Sequence, residues 1–254
     1  MIDALYISAS GLRSEQKQID VISNNVANMH TPGFKRGRVN FVDVATAGVA
    51  ANLGVPMESN GNGTRIHSTS TIFTGGDLRA TQNPLDLAIE GAGFFELEAE
   101  DGGMVYSRDG QFRIDAEGYL VTVQGLRLSQ PIQIPTDASL VRIAQNGEVT
   151  ALLAGDTQRS VLGNIELTMF AAEDMLESVG DNRYVASDAA GAPVYGRPGE
   201  TGFGKVQQGF VELANVEMVE EMTALVLAQR AYQLNARVLQ ASDQILETIN
   251  NLRR

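Results

Sequence analysis

Residues 215–252, NVEMVEEMTALVLAQRAYQLNARVLQASDQILETINNL, contain no Gly and no Pro and are dominated by Ala, Leu, Gln, Glu and Arg. These residue types lose least on entering a helix, so the run predicts one continuous helix. At about 1.5 Å per residue it would be roughly 55 Å long. It carries two apolar stripes. Leu227, Ala231, Leu234, Val238, Ala241, Ile245 and Leu252 form one; Met218, Met222, Leu225, Tyr232, Leu239 and Leu246 form the other. Residues two apart, such as Leu225 and Leu227, point about 200° apart on a helix of 3.6 residues per turn. Opposite sides of this helix therefore both require cover.

The first candidate for cover lies at the other end of the chain. Leu5, Ala9, Leu12, Ile19, Ile22 and Val26 recur at helical spacing, and Leu5, Leu12, Ile19 and Val26 are spaced by sevens, which suits a partner helix. Pro32-Gly33 stops this helix after about Asn28. One such helix cannot bury both stripes of the C-terminal one. A large monomeric core is the competing reading, but the rest of the chain is strand-like and separate. Copies of the same chain are therefore expected to supply the missing surface.

The middle, residues 72–204, alternates short apolar runs with turn signals. Leu87-Ala88-Ile89, Phe94 to Leu97, Tyr119-Leu120-Val121, Ile132-Gln133-Ile134, Leu140 to Ile143 and Ile165-Glu166-Leu167 are the candidate strands. Glu90-Gly91, Asp101-Gly102, Asp109-Gly110, Glu117-Gly118 and Asn146-Gly147 punctuate them, as hairpin turns that need positive φ require. The expected fold class is α+β: N- and C-terminal helices paired in a coiled-coil-like layer, with a central, mainly antiparallel β-domain. The expected division is 1–40 plus 205–254 for the helical part, 41–71 for a linker or extended segment, and 72–204 for the β-rich part. Residues 188–204, with Gly191, Pro193, Pro198, Gly199 and Gly202, read as a second linker.

Charge and composition remove several functions. The formal net charge is −12, so phosphate backbones are repelled. Lys35, Arg36 and Arg38 are the local exception. They read as a solvated turn, or, more sharply, as a contact with an acidic face of a neighbouring subunit. The chain has no Cys, which removes disulfides and thiolate chemistry. His30 and His67 are far apart and lack metal-ligand spacing. No run of about 18 apolar residues spans a membrane, and no secretory signal peptide is evident at the start.

Chemistry is equally sparse. Glu96, Glu98, Glu100, Asp101, Asp109, Asp115 and Glu117 cluster in sequence. A paired-carboxylate hydrolase is one reading; strand and turn acids facing water are the reading preferred, because Glu96, Glu98 and Glu100 alternate on one strand face. Gly61-Asn62-Gly63 and Gly91-Ala92-Gly93 do not continue as phosphate loops. No catalytic, cofactor or metal residues are assigned.

Several stretches resemble a known family. Ser10-Gly11-Leu12, then Ile19 through Asn24, Asn25 and Asn28, then Thr31-Pro32-Gly33-Phe34-Lys35-Arg36, resemble the opening signature of flagellar basal-body rod and hook proteins. Gln208-Gly209-Phe210 with Glu212, Asn215-Val216, Gln229-Arg230-Ala231-Tyr232 and Ser242-Asp243-Gln244 resemble its closing signature. Gly91-Ala92-Gly93-Phe94-Phe95 and Tyr106 to Phe112 resemble its middle. The order and spacing of these motifs cover nearly the whole chain.

The resemblance implies a structural subunit, not an enzyme, that self-assembles helically into a hollow shaft carrying torque from motor to hook. Length and the C-terminal run look most like the distal rod members. Proximal rod members are the alternative, and a periplasmic peptidoglycan-acting enzyme ranks lower. The implied place is the basal-body rod crossing the periplasm, reached through type III export without a cleaved signal. The implied partners are further copies, adjacent rod and hook proteins, the surrounding rings and the export apparatus. The residues expected to carry self-assembly are Leu5, Leu12, Ile19, Val26, Leu225, Leu227, Tyr232, Leu234, Val238, Leu239, Ile245 and Leu246. An isolated copy is expected to have poorly ordered ends.

Overall fold

A computed structural model describes residues 2–45, 61–99, 101–154 and 158–252. The fold is α+β. Helix α1 spans Ile2–Ala27 and helix α2 spans Met218–Leu252, and the two pack along each other. The chain divides into two compact units. One comprises Met1–Ala27, Gly37–Ser70 and Glu217–Arg254; the other comprises Asn28–Arg36 and Thr71–Val216.

The helical unit also holds a two-stranded sheet, strand β1 (Gly37–Ala45) against strand β2 (Gly61–Thr71). Its segment showed no readable period because the apolar residues of β1, Val39, Phe41, Val42 and Val44, change face midway and β2 is mostly Gly, Asn, Ser and Thr. The pairing is made partly by side chains: Asn40 Nδ2 donates to Ser68 Oγ at 3.1 Å and to Ser70 Oγ at 3.0 Å. Asn25, in the last turn of α1, fixes where β1 begins. Its Oδ1 accepts from the Gly37 N–H at 2.9 Å and its Nδ2 donates to the Gly37 carbonyl at 3.0 Å. The amide thus mimics a backbone pair. Residues 46–60, the middle of the expected linker, lie outside the described residues.

The second unit is built on antiparallel strands. Its largest sheet has seven, in the order Glu177–Gly180, Arg183–Val185, Met104–Ser107, Phe95–Glu98, Arg127–Leu128, Leu120–Thr122 and Phe112–Ile114. Leu97, Phe95, Leu120, Leu128 and Phe112 from this sheet meet Leu87, Ile89, Ile143, Val149, Ile165, Leu167 and Val206 in one apolar core. A second cluster gathers Phe94, Tyr106, Phe170, Leu176 and Tyr184, with rings edge to face.

Three expectations fail here for identifiable reasons. Ile132 and Ile134 are buried, yet the segment forms only an isolated bridge at Gln133 with Tyr119, since Pro131 and Pro135 withhold backbone donors on either side. Residues 188–204 are not a loose linker: Val194–Gly196 pairs with Leu167–Met169, and Gly196 lies against the Phe203 ring, where a Cβ would stand 2.2 Å from a ring carbon. Gly110 is absent from the positive-φ glycines; the glycine is needed because a Cβ there would stand 1.6 Å from the Leu87 carbonyl oxygen.

Candidate assembly interface

The seam between the helices is set by small and polar residues of α1. Ser8, Ser14, Ile22 and Asn25 are buried, and Gly11, Glu15 and Gln18 are half-buried. The positions 8, 11, 15, 18, 22 and 25 step by threes and fours, the spacing of a helix pair's contact line. Gly11 permits close approach: a Cβ there would stand 2.8 Å from Asn235 Nδ2. At the other end Asn25 Nδ2 donates to Glu221 Oε2 at 3.2 Å. Going from Gly11 to Asn25 along α1 means going back from Asn235 to Glu221 along α2, so the helices are antiparallel. Burial raises the Glu15 carboxyl above the ordinary range.

On α2 the matching line runs through Glu221, Leu225, Ala228, Asn235, Leu239, Ser242 and Leu246, all buried or half-buried. Three of these, Leu225, Leu239 and Leu246, come from the second apolar stripe. Tyr232, of the same stripe, stays 37% exposed, and Met218 and Met222 remain exposed. The first stripe fares differently. Leu227 is 63% exposed, Leu234 61%, Val238 49% and Ile245 51%. Burial of one of these large apolar side chains contributes about 1.5–3 kcal/mol, so leaving four on water is unfavourable for an isolated copy. On α1, Leu5, Leu12, Ile19 and Val26 are half-buried and Tyr6 is exposed. Within this one chain both helices are formed, and the second stripe of α2 is half-covered at Leu225, Leu239 and Leu246. The self-pairing uses the polar face of α1 and leaves an apolar face of α2 open.

The signature residues separate into two groups. Asn24, Gln229 and Arg230 are exposed on the helices. Tyr232 is exposed there too and Asn25 lies in the helix seam, while the others belong to the second unit. Asn28 and Thr31 make the turn after α1, with the Thr31 N–H donating to the Asn28 carbonyl at 2.9 Å. The Pro32 carbonyl accepts from Asn182 Nδ2 at 3.0 Å. Gly33 has φ +70°, and its N–H donates to the Glu212 carbonyl at 2.8 Å. The Phe34 N–H closes the turn on the Thr31 carbonyl. Gly91 has φ +119° and Gly93 has φ +126°, a geometry only glycine tolerates, and they aim Phe94 and Phe95 into the two separate clusters. Val216 is half-buried, beside Asn215 at the end of this unit.

Lys35 corrects the reading of a solvated turn or an intersubunit contact. Its ammonium is buried and donates to Glu212 Oε1 at 2.6 Å and to the Thr74 carbonyl at 2.8 Å. Arg108 is buried beside it, Nη1 3.6 Å from Glu212 Oε2, donating to the Gly91 carbonyl at 2.8 Å and lying over the Phe94 ring. Burial lowers the affinity of both cations for their protons, and Glu212 opposes that shift in each. Glu173 is raised by burial, with Arg108 and Lys35 pulling the other way. Lys35, Arg108 and Glu212 all lie within the motifs above, but a charged residue in a motif reads as exposed until its partner is known.

The acid cluster is dispersed. Glu96 does not face water: it is buried and accepts from Ser129 Oγ at 2.6 Å, Tyr195 Oη at 3.0 Å and Tyr106 Oη at 3.3 Å. Glu98 is exposed, and Asp115 and Glu117 both pair with Arg127. Glu100 lies outside the described residues. Among the described residues no group of His, Cys, Asp or Glu is arranged to hold a metal ion, and no helix is long and apolar enough to cross a membrane.

Three family models match the chain in order. "Flagella basal body rod protein" matches residues 5–35, "Flagellar hook protein FlgE/F/G D1 domain" matches 88–151, and "Flagellar basal body rod FlgEFG protein C-terminal" matches 207–252. The chain is 38% identical to the flagellar basal-body rod protein FlgG of Buchnera aphidicola from Acyrthosiphon pisum, over 99% of this chain and 100% of that one. It is 38% identical to the FlgG of Agrobacterium fabrum, over 97% and 98%. It is also 24% identical to the flagellar hook protein FlgE of Salmonella typhimurium, over 97% and 99%.

Proposed function

The chain belongs to the family of flagellar basal-body rod and hook proteins, and from that premise we propose that it is a distal-rod subunit that polymerises through the open face of α2. The observation that carries this reading is the row Leu227, Leu234, Val238 and Ile245, exposed on a helix whose other face is already occupied. A regular apolar row of this length supports an interface with another copy. Helices of neighbouring copies have the matching chemistry, because Tyr6 and the half-buried Leu5, Leu12, Ile19 and Val26 stand on α1. Such a contact joins two different surfaces, so it propagates along an open helical lattice instead of closing.

The full-length relatives bearing the FlgG name support the distal rod over the proximal one, and the shared architecture with a hook protein supports contacts with adjacent axial proteins at the ends of the polymer. The work proposed is mechanical: a hollow shaft across the periplasm that passes torque to the hook, without catalysis or cofactor, reached by type III export. The helices are assigned to the tube. Raising the concentration of the purified full-length chain and imaging it by electron microscopy tests this. Tubes with a helical repeat are expected. A single closed oligomer at every concentration would contradict the reading.

A further inference from the structure

The two units are joined by chain crossings, and three of them lie at Arg36–Gly37, Ser70–Thr71 and Val216–Glu217. On the side of the β-rich unit, one side chain touches a residue at or near each. The Arg36 N–H donates to Asn215 Oδ1 at 2.7 Å. Asn215 Nδ2 donates to the Ile72 carbonyl at 2.8 Å, the Thr74 carbonyl at 3.1 Å and Thr74 Oγ1 at 2.9 Å. The Ile72 N–H in turn donates to the Arg36 carbonyl at 2.8 Å. Asn215 itself is the penultimate residue of the unit. Sequence distances of 179 and 143 residues are thereby closed by one amide.

We propose that Asn215 is a positioning residue, a clamp that gathers the three crossings into one bundle so that load arriving through any of them is shared by all. The chemistry requires an amide. The acceptor must face a backbone N–H while the donor faces carbonyl oxygens, and no other side chain of that length offers both. Asp would keep the Arg36 bond but set a carboxylate against the Ile72 and Thr74 carbonyl oxygens. Ala would remove the bonds to the Arg36 N–H, the Ile72 carbonyl and Thr74, and with them the direct link between these segments. The Lys35–Glu212 pair backs the clamp from inside, since Lys35 donates to the same Thr74 carbonyl at 2.8 Å. Load sharing rests on the rod reading; the clamp itself does not.

The test uses the full chain with Asn215→Ala and Asn215→Asp, read by hydrogen exchange. The informative amide is Ile72, whose N–H does not bond Asn215. Its exchange is expected to rise about tenfold in both variants, the effect of loosening one hydrogen-bonded contact, while Leu97 in the core stays within about twofold. Unchanged exchange at Ile72, or equal acceleration at Leu97, would overturn the clamp. In a motile host dependent on this chain, Asn215→Ala is expected to swim in dilute medium and stall in viscous medium; wild-type speed in both would overturn load sharing. Failure of the rod reading shows separately, as absence of tubes from the wild-type chain.

Discussion

Lys35 Nζ stands 2.6 Å from Glu212 Oε1, although the two residues are 177 positions apart in the chain, and both side chains are buried. The pair locks the turn that follows α1 to the strand that precedes α2, inside the β-rich unit. Removing one partner strands a charge away from water, which costs about 3–5 kcal/mol. Glu212→Gln leaves both Lys35 and Arg108 without their carboxylate and is expected at the upper end; Lys35→Met leaves Arg108 near Glu212 and is expected at the lower end. The double variant is expected to lose less than the two singles added together, by about 1–3 kcal/mol. Urea unfolding of the four proteins measures this, and strict additivity would show that the pair does not act as one.

Asp109 gives the fold a pH dependence. Burial raises its carboxyl from the ordinary 3.8 to about 6, with Asp86 adding to the rise and the Gln111 N–H opposing it. The folded state therefore binds this proton more tightly than the unfolded chain does. The destabilisation is absent below pH 3.8, grows between 3.8 and 6, and is complete above 6. Two units correspond to about 3 kcal/mol at most. Asp109→Asn is expected to raise stability at pH 8 by up to that amount, with the gain fading as pH falls through 6 toward 4. Melting curves across that range check it; a gain independent of pH would place the cause elsewhere.

Gly33 combines φ +70° with a tight approach, since a Cβ there would stand 2.6 Å from the Asp109 backbone nitrogen. Gly33→Ala is expected to cost more than about 2 kcal/mol, from left-handed strain plus a clash with unyielding backbone. Gly125 also has positive φ, at +92°, but nothing lies within 4 Å of its Cβ position. Gly125→Ala should therefore show the strain alone, about 1 kcal/mol. Comparing the two by chemical unfolding separates strain from clash, and equal losses would remove the clash.

Helix α2 was legible because a long run without Gly or Pro leaves few alternatives, and α1 because its apolar residues recur at helical spacing. Their pairing was expected from the sequence and is observed, but the seam it uses was not legible. The seven-spaced line Leu5, Leu12, Ile19 and Val26 pointed to one face of α1, while the seam runs through Ser8, Gly11, Ser14 and Asn25, whose small or polar side chains give no apolar signal. Strands β1 and β2 escaped for a similar reason: Asn40, Ser68 and Ser70 hold them with side-chain hydrogen bonds instead of a buried apolar row. Lys35 and Glu96 were read as solvated because charge ordinarily is. Their partners, Glu212 and the Tyr106–Ser129–Tyr195 group, become neighbours only through long-range topology. The open stripe of α2 needed no topology, since its period alone places Leu227, Leu234, Val238 and Ile245 on one side.

That stripe is the heart of the account, and Leu234→Asp probes it most directly. Leu234 is 61% exposed in the single chain, so the substitution leaves the subunit's own fold intact, yet it sets a carboxylate in the middle of the surface assigned to neighbouring copies. Assembly of the full-length variant is to be followed by sedimentation alongside its melting curve. The expected result is loss of polymer with an unchanged melting transition; polymer formed at the wild-type concentration would contradict the assignment of this face to self-assembly.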